Sequence, residues 1–295
     1  MKSEQAMICA IVGGIFLLAG IRVSLRKSEV LPPLDRWCAF GVPLVAAALA
    51  AFGMQHLLAA RLLVEVVPVW MPARLFWVYF VGAALLAAAL SFALQKALWI
   101  SAPFLALLFV ILALSIDLPS AIAEPYQWIG WSMVLRELSY AAGAVAIFSS
   151  ACERVRDSHA GYIFTVARWT IIAAVFYFCL EQTLSPQYSP GVPDLLMTPA
   201  WVPAPRLLTH LSGIVFLISG VLLITNRYLT LAVVLGGAWM VFLTLTVYVP
   251  TVFIEFGGAR SIEGVDFVYD TILFGGTMLL LGFASPRYKR NPGIL

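Results

Sequence analysis

Nine apolar stretches, each of about 20 residues and each closed by charged or proline-bearing breaks, leave this chain few choices of fold. They fall at residues 6–22, 38–58, 75–94, 97–117, 130–150, 163–182, 207–225, 228–249 and 265–283. A backbone facing lipid must satisfy its own hydrogen bonds, so only helices and closed barrels cross a bilayer. Alternation of apolar and polar residues, the mark of a strand, is absent, which leaves helices. Composition agrees: 62% of residues are hydrophobic and 11% charged, with a mean hydropathy of +0.96. A soluble globular domain, with roughly a quarter of its residues charged, is excluded. The expected fold is all-α: a polytopic transmembrane protein of about nine helices.

The stretches are also related to one another. Pro68-Val69-Trp70-Met71-Pro72 recurs as Pro199-Ala200-Trp201-Val202-Pro203, and the two segments run in step, without a gap, to Pro119 and Pro250. The offset is 131 throughout (201 − 70, 250 − 119). Gly82 falls on Gly213, and the break Gln95-Lys96 falls on Asn226-Arg227. Such agreement of anchors and interruptions marks a tandem duplication. The chain then divides into an N-terminal transmembrane helix with a basic loop (1–36), a first four-helix repeat (37–152) and a second with a basic tail (153–295). The first apolar stretch follows Lys2, as a secretion signal would. It ends on Arg22, Arg26 and Lys27 with no small-x-small cleavage site, so a retained helix is expected.

Basic residues set the expected orientation. With the N-terminus outside, inner segments hold Arg22, Arg26, Lys27, Arg36, Lys96, Arg154, Arg156, Arg168, Arg227, Arg287, Lys289 and Arg290, out of 18 Lys and Arg in all. Only Glu29, Asp35, Glu153 and Asp157 join them there. An N-out, C-in topology in a bacterial inner membrane follows, and it accounts for the basic face without nucleic acid as a partner. Cys9, Cys38, Cys152 and Cys179 stand apart, with no C-x-x-C pair to suggest a redox dithiol or a metal cage. Phosphate-binding glycine loops, nucleophile elbows and H-E-x-x-H are absent.

The chemistry must therefore come from polar groups at membrane depth, which are costly to insert and need a reason to be there. In the first copy these are Gln55 and His56, Tyr79, Asp117, and Arg136 with Glu137. In the second they are Glu181 and Gln182, His210, Tyr248, and Asp266 with Asp270. All lie toward the outer side. At the offset of 131, His210 takes the place of Tyr79 and Tyr248 that of Asp117; aligning Gly143 with Gly276 sets Asp270 opposite Glu137 (270 − 137 = 133). Sequence neighbours on a helix point about 100° apart, so Arg136 is expected to look to Asp117 rather than to Glu137. The loop Ser185–Pro205 carries six prolines and Gly191, too many breaks for a helix or a central strand. It is expected to fold back over the outer end of the second copy. Bis-imidazole haem ligation by His56 and His210 lacks any supporting motif and is set aside; no metal site is expected.

The runs Phe52-Gly53-Met54-Gln55-His56, Pro68-Val69-Trp70-Met71-Pro72, Phe76-Trp77-Val78-Tyr79 with Gly82, and Asp117-Leu118-Pro119 resemble the four-helix DoxX-like unit of bacterial membrane proteins. Pro190-Gly191-Val192-Pro193, the second Pro-Trp-Pro motif and Gly275-Gly276 extend the resemblance over residues 37–284. It implies an amphiphile pocket in the outer half of each repeat, with quinone as the leading ligand, since some members are membrane subunits of thiosulfate:quinone oxidoreductase. Leu85 and Phe216 stand where members often carry an acid, and Glu181-Gln182 replaces Gln55-His56 in the second copy. Two expectations follow: a quinone-linked oxidoreductase subunit, or a noncatalytic accessory or lipid-binding subunit of a larger membrane complex. Whether the chain is itself an enzyme stays open.

Overall fold

A computed structural model describes residues 2–29, 31–152, 159–192, 201–254 and 261–285. Pro193 and Pro199 of the proline-rich loop, the inner-loop residues Glu153, Arg154, Arg156 and Asp157, and the tail residues Arg287, Lys289 and Arg290 lie outside them. The described residues contain helices and no strand. In chain order these are α1 (Lys2–Ser28), α2 (Pro33–Ala39), α3 (Gly41–Leu58), α4 (Ala60–Leu63), α5 (Arg74–Leu94), α6 (Leu98–Leu112), α7 (Leu118–Ala123) and α8 (Trp128–Ala151). The second half supplies α9 (Ala160–Leu184), α10 (Pro205–Thr225), α11 (Leu229–Leu243), α12 (Val249–Ile254) and α13 (Ser261–Phe283). Eight spans are long and apolar enough to cross a membrane; α8 is as long, at 24 residues, but carries Arg136 and Glu137. Large apolar side chains cover the outside, among them Leu18, Phe104, Leu107 and Leu245, each more than half exposed. That surface suits lipid and not water. The chain is a polytopic helical membrane protein.

The repeat is visible element by element. Subtracting 131 maps α10 onto α5, α11 onto α6 and α12 onto α7, residue for residue at both ends. Between the last two of each copy lies a π-helical turn, Ala113–Asp117 and Thr244–Tyr248, again 131 apart (244 − 113). Each turn stands just ahead of a proline, Pro119 or Pro250. Proline lacks an N–H and its ring collides with the carbonyl four residues earlier, and a widened turn relieves both. The helices therefore run on to Ala123 and Ile254, past the ends at 117 and 249 expected from sequence. Helix α5 starts after Ala73 and α10 after Ala204, both in the left-handed region (φ 50° and 48°); they end on Gln95 and Asn226, likewise left-handed. Non-glycine residues adopt that conformation rarely, and these four sit at matching places.

The two repeats do not close separately. Helix α3 packs on α5, α5 on α6 and α6 on α8, while α9 packs on α10, α10 on α11 and α11 on α13. The fourth helix of each copy then turns to the first helix of the other: α13 lies on α3, α8 lies on α9, and α8 and α13 meet between them. Eight helices form a closed ring with exchanged fourth members. Small residues bring the backbones together: a Cβ on Gly53 would stand 2.9 Å from the Gly82 carbonyl, and one on Gly276 3.1 Å from that of Gly41. The unpaired α1 lies outside the ring against α3, α5 and α13. It is tied by Gln5 to the Leu58 carbonyl at 2.9 Å, by Ser24 to Gln95 at 2.8 Å, and by Tyr269 to the Ala10 carbonyl at 3.1 Å.

Candidate functional site

Helices alternate in direction, so the proline loops, the C-terminal ends of α3 and α9 and the N-terminal ends of α5, α8, α10 and α13 gather at one end of the molecule. The polar groups gather there too. At the junction of the copies, Arg136 of α8 donates from Nη1 to Asp270 Oδ2 on α13 at 3.1 Å, and its Nη2 lies 3.6 Å from Glu137 Oε1. One expectation about the arginine needs correction: Glu137 is within reach because a guanidinium on a long side chain bends around the helix, and Asp270 of the other copy is a partner that the spacing did not suggest. The two carboxylates that the repeats set opposite each other thus flank one cation. Tyr140, one turn beyond Arg136, donates to the Asp270 carbonyl at 3.1 Å. Ser132, one turn before it, donates to Glu181 Oε2 at 2.7 Å. Tyr177, one turn before Glu181, donates to the Trp128 carbonyl at 2.8 Å, so α8 and α9 interlock by two turns each. Arg136, Asp270 and Glu181 are all buried.

In the second copy the outer end is filled from within. After α9 the chain doubles back, and Ser189, Pro190, Gly191 and Val192 are buried. Gln182 donates to the Gly191 carbonyl, Tyr248 to the Pro190 carbonyl, and Thr209 to the Tyr188 carbonyl at 3.2 Å. Gly191 has φ 99°, and a Cβ there would approach Leu243 and Met240 to 3.1 and 3.2 Å, so glycine suits this position on both counts. Burial and the nearby Glu181 carboxylate push the Tyr188 phenol above its ordinary range. The return of the proline-rich loop over the second copy, as far as Val192, matches expectation.

The first copy has no such filling. A cavity of about 320 Å³ is lined by His56, residues of the 63–71 loop, Trp77, Val78 and Val81 of α5, and Leu108 to Ile116 of α6 and its π-turn. Several of its wall positions answer to contacts of the second copy's filling: Val78 to Thr209 and Leu112 to Leu243 at the offset of 131, and His56 to Gln182 at the matching ends of α3 and α9 (184 − 58 = 126). Phe80, Leu108 and Ile111 also line a second, larger hollow of about 450 Å³ between α5 and α6, which continues toward Ile100 and Ser101 at the other end. The first has a few polar atoms at its mouth, and the second is an apolar groove on the outside of the helices, where Phe104 and Leu107 are exposed. Arg74 holds the mouth in shape by donating to the Val64 carbonyl and, at 3.4 Å, to that of Glu65.

The twelve residues singled out by sequence divide accordingly. Arg136, Glu137, Glu181 and Asp270 meet at the junction; Gln182 and Tyr248 hold the second copy's filling; His56 lines the first copy's cavity. Gln55 and Asp117 are buried in the first copy, and Asp266 is half-buried on α13. Tyr79 is 44% exposed and its counterpart His210 is exposed as well. Both point away from the ring, and His210 sits on α10, which packs on α9 and α11. Ser132, Tyr140, Tyr177, Thr209 and Ser115 were missed. The first three could have been found from spacing, since Ser132, Arg136 and Tyr140 share one face at steps of four, as do Tyr177 and Glu181.

Fold and site thus define a polytopic helical membrane protein with an internal repeat, one repeat self-filled and the other open. No family model, no curated protein and no solved structure matches the chain.

Proposed function

We propose that the chain is a DoxX-like membrane subunit that binds an amphiphile in its first repeat, with a quinone or its reduced form as the leading candidate. One observation carries the reading: the space that the second copy fills with its own residues 188–192 is left in the first copy as a cavity of about 320 Å³, beside an apolar groove of about 450 Å³ with which it shares Phe80, Leu108 and Ile111. Cavities of this size accept small ligands, and a polar mouth beside an apolar groove suits a head group with a chain. With the N-terminus outside and the C-terminus inside, the mouth opens at the outer face of a bacterial inner membrane. A quinone carries its own redox chemistry, so the protein has only to orient the head group and admit a proton. His56 is the titratable group at the cavity; Glu137 and Asp270 line neither hollow and serve to join the copies.

Accessory status within a larger complex is the alternative, and it draws on the same junction: a guanidinium held between two carboxylates is a structural tie. Purified full-length protein, titrated with short-chain quinone and hydroquinone and followed through Trp77 fluorescence, separates the two. Saturable quenching by either form, abolished in Val81→Trp, supports the pocket; no quenching by either form in a normally folded preparation sinks it.

A further inference from the structure

Resting on that reading, we infer that the first-copy cavity selects a head group that donates a hydrogen bond, a hydroxyl such as that of a hydroquinone, over one that only accepts. Three lining side chains carry a polar hydrogen, and all three have turned it onto backbone. His56 Nδ1 lies 2.8 Å from the Phe52 carbonyl. A carbonyl can only accept, so Nδ1 bears the hydrogen, and the neutral ring leaves Nε2 as a bare acceptor. The Ser115 hydroxyl donates to the Ile111 carbonyl at 2.6 Å, which leaves lone pairs and no hydrogen. Trp77 Nε1 donates to the Pro72 carbonyl at 3.0 Å, and an indole has nothing else to offer. Pro68 in the wall has no N–H. The other lining side chains are Leu, Val, Ile, Met and Phe.

Among the lining residues a ligand carbonyl would lose water and find no side-chain donor, whereas a ligand hydroxyl finds acceptors at His56 and Ser115. The second copy has the opposite polarity. Its filling presents carbonyls, those of Tyr188, Pro190 and Gly191, and the wall meets them with donors from Thr209, Tyr248 and Gln182. At the matching places the first copy has Val78 for Thr209 and His56 for Gln182. Without those donors the first-copy wall suits a hydroxyl where the second suits carbonyls.

The test uses two pairs of ligands on purified full-length protein in lipid nanodiscs, with Trp77 quenching as the readout: para-decylphenol against its methyl ether, and a decyl hydroquinone against its quinone. The hydroxyl member of each pair should bind about tenfold more tightly, one hydrogen bond's difference. In His56→Gln, which restores the second copy's amide donor, the ratio should fall toward one and the quinone should gain. His56→Phe should lose the discrimination and keep the methyl ether's binding. Equal binding of phenol and ether to the unaltered protein, or tighter binding of the quinone, overturns the inference while leaving the pocket standing. Failure of all four ligands to bind folded protein overturns the pocket itself.

Discussion

Arg136 of the first repeat and Asp270 of the second share a hydrogen-bonded ion pair, Nη1 to Oδ2 at 3.1 Å, at the crossing of α8 and α13. Glu137 lies on the other side of the same guanidinium at 3.6 Å. Charges taken out of water are held here because a cation of one copy meets a carboxylate from each copy.

Removal of one partner should therefore cost far more than removal of both. Asp270→Ala takes one carboxylate from the buried Arg136 cation and is expected to destabilise the fold by about 3–5 kcal/mol, whereas Arg136→Leu with Asp270→Leu, in a Glu137→Gln background that removes the other carboxylate, should recover most of that loss. Thermal unfolding in detergent, followed by tryptophan fluorescence over the double-mutant cycle, measures it. A double variant as weak as the worse single one would show that the pair is more than a tie.

The filling of the second copy rests on side-chain donors to backbone carbonyls. Tyr248→Phe and Gln182→Leu should each release segment 185–192 by about 1 kcal/mol, and together open a second cavity there. Hydrogen exchange at Gly191 and Val192 should rise several-fold in the double variant and little elsewhere. Unchanged protection would assign the segment's order to apolar packing alone.

Close helix approach makes two glycines unequal. A Cβ on Gly53 would press on the Gly82 carbonyl and the Leu86 backbone nitrogen at 2.9 and 3.0 Å, while one on Gly14 meets nothing within 4 Å. Gly53→Ala should separate α3 from α5 and lower the melting temperature by several degrees, for a cost of roughly 1–3 kcal/mol. Gly14→Ala should leave it unchanged or raised. Equal behaviour of the two would mean that the α3–α5 seam is softer than its spacing implies.

Much of this architecture was legible because lipid imposes length. An apolar run must be about 20 residues to span, so nine helices could be placed from composition alone, and proline anchors repeated at one offset gave the duplication. The face of each helix was harder to read. In water a polar residue on an apolar helix marks the exposed side, but at a membrane interface it is equally at home facing head groups, and Tyr79 and His210 are both exposed on the outside of the ring. The register between copies held for this pair; its direction did not follow from it. The π-turns were illegible for another reason: proline was read as a stop, and the same proline can instead widen the turn before it and let the helix go on. Asp270, which accepts from Arg136, lay 134 residues away in a helix of the other copy, and no local spacing points to it.

The exchange of fourth helices bears on the limits of such a protein. A single repeat, cut free, would keep its four helices packed in order and lose the surface on which its first and last close, and a pair of identical chains docking fourth helix on first would restore that surface. In such a pair, whatever one subunit does at its outer mouth the other has to do as well. Joining the two into one polypeptide removes that obligation. Here one half seals its mouth with its own backbone at residues 189–192 while the other keeps its mouth open, an asymmetry that two identical chains could not hold.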